Sequence, residues 1–139
     1  MHARRAQIRF TGTHAGFAQA FERFRRALDA ERLESVPRYN AELIFEEIVA
    51  NVVRHGAVAG RDPAVCVTLE SGPDSIRVTF EDDGVPFDPC AEFEPDPPKS
   101  LEGEKIGGFG LTLVCRAASS LEYLRTEGGH NRLTVSVAR

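Results

Sequence analysis

No stretch of this 139-residue chain approaches the roughly 18 uninterrupted apolar residues that a membrane span needs, so no spanning helix is expected. Residues 1–10 carry three arginines and no apolar run follows them, so the expectation is a soluble, unsecreted, cytoplasmic protein. Cysteine is scarce. Cys66, Cys90 and Cys115 are odd in number and widely separated, so they suggest neither a disulfide framework nor a local metal knuckle. Excess basic charge is also lacking: the formal net charge is −4, which argues against direct nucleic-acid binding, and no membrane partner is expected either. There is no internal repeat, and biased composition is confined to one proline-rich loop.

What is present suits one domain spanning 1–139, since a 42% hydrophobic chain of this length holds one core more readily than two. Ile8 and Phe10 flank Arg9 as in a short strand, and Thr11-Gly12-Thr13 offers turn and N-cap chemistry. Phe17, Phe21, Phe24 and Leu28 then form one apolar helical stripe, with Glu22, Arg23, Arg25 and Arg26 on the other side. That stripe is available for packing, for forming a homodimer or for docking. The arginines read first as a solvated face and second as a patch for an acidic partner.

Ser35 is expected to cap a second helix running to about His55, with Pro37 tolerated in its first turn. Val65, Val67 and Leu69, then Ile76, Val78 and Phe80, alternate as two strands around the turn Ser71-Gly72-Pro73-Asp74. From Asp82 to Gly110 proline and glycine accumulate, which predicts a long irregular surface loop: a binding loop, a lid or a disordered segment. A helix is expected over Leu111–Ser119, and strands over Leu121–Leu124 and Leu133–Val137 around a Gly128-Gly129 turn. Strands arriving in adjacent pairs favour an α+β, two-layer α/β sandwich: a mixed, mostly antiparallel sheet covered on one face by helices.

Three segments carry chemistry. Glu47 and Asn51 stand four residues apart on an otherwise apolar helix, hence on one face. Taken alone they can be an edge acid and a backbone partner. Together they also suit a general base beside an amide oxygen that helps hold Mg²⁺. Asp82-Asp83-Gly84 follows a strand directly; Asp82 can simply turn the chain, or accept a hydrogen bond from an exocyclic amino group while Gly84 lets a base approach the backbone. Lys105-Ile106-Gly107-Gly108-Phe109-Gly110-Leu111 is a glycine-rich turn opening a helix, either a hinge that holds no ligand or a place where amides and the helix dipole receive phosphate. It lacks the Gly-Lys-Ser/Thr ending of a Walker loop and the preceding strand of a Rossmann fingerprint.

The ordered set resembles the N, G1 and G2 boxes of the GHKL (Bergerat-fold) ATPase superfamily. Within it, Glu47 to Gly56, Asp82 to Pro89, Gly107 to Leu111 and Asn131 to Val135 are similar to the anti-sigma factor serine kinases. The resemblance implies ATP or ADP and Mg²⁺ as ligands, Glu47 as catalytic base, Asn51 as metal ligand and Asp82 as adenine acceptor. It further implies nucleotide contacts from Arg54, His55, Gly84, Lys105, Ile106, Gly107, Gly108, Phe109, Gly110, Leu111 and Thr134, with residues 88–106 as the ATP lid and Thr134 beside the adenine. The implied partners are an anti-sigma factor antagonist, phosphorylated on serine, and a sigma factor, exchanged by partner switching. Pro86 departs from the resemblance, since a second glycine is common there; proline stiffens the mouth and removes an amide. Two other readings are a non-catalytic ATP-binding protein that sequesters a partner, and the catalytic half of a split histidine kinase. The second suffers because His2, His14, His55 and His130 lie on no helical hairpin suited to phosphate acceptance.

Overall fold

A computed structural model describes residues 4–91 and 106–139, with backbone alone for 106–109. Five strands form one sheet: β1 (Arg5–Thr11), β2 (Ala64–Ser71), β3 (Ser75–Asp82), β4 (Ser120–Arg125) and β5 (Asn131–Ala138), in the order β1-β2-β3-β5-β4. Every pairing is antiparallel, where the sequence suggested a mixed but mostly antiparallel sheet. The reason is the placement of the last hairpin. β4 takes the outer edge and β5 returns between it and β3, so the strand that meets β3 runs against it.

Alternation fixes which face is dry. Val65, Val67, Leu69, Ile76, Val78, Phe80, Leu133, Val135 and Val137 are all buried, and the helices α1 (His14–Asp29), α2 (Ser35–His55) and α3 (Ile106–Ala117) contribute Phe24, Leu28, Ile44, Phe45, Ile48, Val49, Leu111 and Val114 to the same core. Phe45 is its hub. The ring lies 4.6 Å from Phe24, 5.6 Å from Phe21, 6.1 Å from Phe17, 6.2 Å from Phe80 and 6.4 Å from Phe10, centroid to centroid.

Thr13 caps α1 as its type predicts, accepting from the Gly16 amide at 3.0 Å. The start of α2 differs by one residue from expectation: Glu34, not Ser35, occupies the N-cap and makes no side-chain cap bond. Pro37 has no amide to give, so the first available donor, Arg38, reaches back to the Glu34 carbonyl at 3.0 Å. α3 begins at Ile106, five residues before the predicted Leu111, so Gly107, Gly108 and Gly110 lie inside the helix instead of preceding it. Close packing of α3 on α2 accounts for the glycine at 110, as the site shows. Among the described residues no helix is long and apolar enough to cross a membrane.

Candidate functional site

The carboxyl-terminal half of α2 does not meet the sheet flush. A pocket opens there, walled by Ile48, Asn51, Val52, His55 and Gly56 from α2, Phe80 and Asp82 from β3, and Tyr123, Asn131 and Leu133 from β4 and β5. Val85, Phe87 and Pro89, from the turn after β3, complete it. Apolar walls with a few convergent polar groups are the usual form of a small-molecule site.

Asp82 is the buried acid of this cavity, 7% exposed. Its Oδ1 accepts from the Gly84 amide at 2.9 Å and from Asn131 Nδ2 at 3.0 Å. Burial pushes its carboxyl above the ordinary value, and these two donors pull against that shift. Gly84 is required here for lack of space: a Cβ would lie 2.9 Å from Gly56 Cα and 2.9 Å from Asp82 Oδ1. The turn therefore seats directly on the end of α2, where the Val85 amide donates to the Gly56 carbonyl at 3.3 Å.

Asn51 is buried in the opposite wall, and its Oδ1 accepts from Arg54 Nη2 at 3.3 Å. An amide oxygen has a second lone pair to offer. His55 stacks on Phe87 at 5.5 Å and 17°, forming an aromatic ledge at the mouth. Glu47 lies one turn before Asn51, half-buried, outside the cavity wall and against Gly110 of α3. A side chain at 110 would occupy the place of Glu47 Oε2, so the glycine is what lets the two helices close around this acid. Burial raises the Glu47 carboxyl above its ordinary value, opposed by Arg54 and assisted by Glu46. Among the described residues no group of three or more His, Cys, Asp or Glu is placed to hold a metal ion. A hard cation beside Asn51 would therefore draw most of its oxygen ligands from phosphate and water, as Mg²⁺ commonly does.

The first two segments named from the sequence thus share one cavity, and Gly110 of the third joins them through Glu47. Leu111 lies in the core, 4% exposed, and does not line the cavity. Gly107 and Gly108, with Ile106 and Phe109, form the start of α3. Lys105 and most of the expected lid, 92–105, lie outside the described residues. Thr134 requires correction. In β5 the residues at 131, 133, 135 and 137 face the helices, so Thr134 faces the other way, in a row with Thr68 and Thr79 on the outer side of the sheet. Leu133 and Asn131, not Thr134, line the cavity. The same parity was the signal available for Asn131, a polar residue at a core-facing position of an otherwise apolar strand; Tyr123 and Phe87 carried no comparable mark.

Over residues 10–137 the chain matches the histidine kinase-like ATPase domain family. It is also similar to a protein named serine/threonine-protein kinase BtrW from Bordetella bronchiseptica, with 29% identity over 99 residues, 71% of this chain and 69% of that relative.

Proposed function

The chain belongs to the histidine kinase-like ATPase domain family, and from that premise we propose that it is an ATP-dependent protein-serine/threonine kinase that also acts as an anti-sigma factor. The observation that carries the nucleotide reading is Asp82: a buried carboxylate held at Oδ1 by two donors, in a largely apolar pocket. Adenine offers the exocyclic amino group such an acceptor reads. Phosphates would extend toward Asn51 and the start of α3, where unpaired helix amides and the dipole favour anions.

Glu47 is the proposed base. Its raised affinity for a proton suits it to accept one from a serine hydroxyl as the hydroxyl oxygen attacks the γ-phosphorus and ADP departs. Mg²⁺, where bound by the Asn51 amide oxygen and the phosphates, would supply charge neutralisation on the transferring group. Arg54 holds Asn51 in place until such a ligand competes for its oxygen. The substrate proposed is an anti-sigma factor antagonist, with a sigma factor as the alternate partner. This finer assignment is supported by the resemblance of the site segments and by the kinase name of the Bordetella relative.

Incubation with Mg-ATP and the purified antagonist, followed by phosphoserine mass spectrometry, tests the reading. Wild type is expected to phosphorylate the antagonist, and Glu47→Ala to bind ATP yet transfer little. Equal transfer by both would remove Glu47 from its role, and ATP binding without transfer by the wild type would favour a non-catalytic sequestering protein.

A further inference from the structure

Asn131 is 6% exposed, and its carboxamide uses all four of its hydrogen-bonding positions. Oδ1 accepts from the Phe87 amide at 3.1 Å and from the Tyr123 hydroxyl at 2.6 Å. Nδ2 donates to the Val85 carbonyl at 2.8 Å and to Asp82 Oδ1 at 3.0 Å. Rotating the amide by half a turn would exchange its oxygen and nitrogen, but two backbone partners forbid that. The Phe87 N–H can only donate and the Val85 C=O can only accept, so the nitrogen is locked toward Asp82. Oδ1 of Asp82 thereby meets two donors, since the Gly84 amide points at it too, and carries no proton.

We propose that Asn131 is a specificity-determining positioning residue: by donating to Asp82 Oδ1 it favours the ionised carboxylate, an acceptor and not a donor, at the wall of the cavity, and so selects a purine with an exocyclic amino group over one with an oxo group. This rests on the nucleotide reading of the cavity. Physical chemistry makes the device necessary. Burial alone favours the neutral acid at Asp82, and a neutral acid would present an O–H donor suited to an oxo purine. The Nδ2 donor stabilises the anion instead. Other charged or titratable groups around the pair are Arg125 and Tyr123 from β4, Asp83 and Asp88 from the turn, and His55 from α2 at the mouth. Of these, Arg125 also favours the Asp82 anion and donates to the Gly84 carbonyl at 3.0 Å.

Asn131→Asp tests this at nearly constant shape. The carboxyl introduced at position 131 would face Asp82 and the Val85 carbonyl with oxygen, so the two acids must share a proton to keep the arrangement. Calorimetric affinities for Mg-ATP and Mg-GTP are measured for wild type and variant from about pH 6 to about pH 8, and the variant-to-wild-type ratio is taken at each pH to cancel ionisation of the ligand. The expected ratio for ATP is within about threefold at the acid end and worsens by roughly tenfold or more toward the alkaline end, with the loss in KM for ATP rather than in kcat. A ratio that stays flat with pH, in a wild type that does bind ATP, overturns the proposal and leaves the nucleotide reading standing. No ATP binding by the wild type overturns both. Should Asn131→Asp not fold, Tyr123→Phe removes only the hydroxyl that helps lock the amide; it is expected to narrow the preference for ATP over GTP about threefold, and an unchanged preference overturns the proposal.

Discussion

A methyl group added at Gly110 would overlap Glu47 Oε2, and the atom it meets is the end of a flexible side chain. Glu47, not the helix, would give way. Gly110→Ala is therefore expected to leave the melting temperature within a few degrees of wild type while lowering phosphoryl transfer by roughly tenfold to a hundredfold, because a base displaced by an ångström no longer lines up with its proton. Thermal unfolding and a kinase assay on the same preparation separate the two effects. In its proposed role as base, Glu47 should also set the pH response. A general base works deprotonated, and burial holds this one protonated to higher pH than an ordinary glutamate. Activity should climb with pH through a window above the usual carboxylate range and then level off. Glu47→Gln, with no proton to lose, should show a flat profile at a level about a hundredfold to ten-thousandfold lower.

At the scale of elements, the cavity lies between the carboxyl-terminal half of α2 and the sheet, beyond the aromatic hub at Phe45. Phe45 touches rings from β1, α1 and β3, so it registers the helix layer on the strands. Phe45→Ala is expected to cost about 3–5 kcal/mol, measured by denaturant unfolding, and to weaken nucleotide binding only through that loss. How far this architecture was legible follows from the physics of each signal. The stripe Phe17, Phe21, Phe24, Leu28 and the alternations in β2, β3 and β5 announced their elements because burial imposes a period. Gly107, Gly108 and Gly110 misled because glycine marks both a turn and a close helix contact, and only the position of Glu47 shows which applies at 110. Thr134 was misplaced by one residue, which in a strand means the opposite face. Parity marks Asn131 as core-facing, but its role lies in four partners, Asp82, Val85, Phe87 and Tyr123, that only folding brings together.

For the molecule as a whole, the site is a cost to stability. Asp82 and Glu47 bind a proton more tightly folded than unfolded, because burial raises both carboxyls. Between the ordinary carboxylate value and the raised one the folded state carries more protons, so stability declines as pH rises through that window. Asp82→Asn removes the more deeply buried charge; above the window it is expected to melt a few degrees higher than wild type, while near pH 4, by rough estimate, the two should converge. A wild-type melting temperature that rises through the same window would contradict this sign. The account's central claim is that α2, the turn after β3 and the start of α3 surround one adenine nucleotide. Backbone amide resonances followed by NMR during titration with Mg-ATP test it most directly. Signals from Asn51 and His55, from Gly84 and Val85, and from Gly110 should all shift with a single dissociation constant, whereas shifts confined to one segment, or none at all, would contradict it.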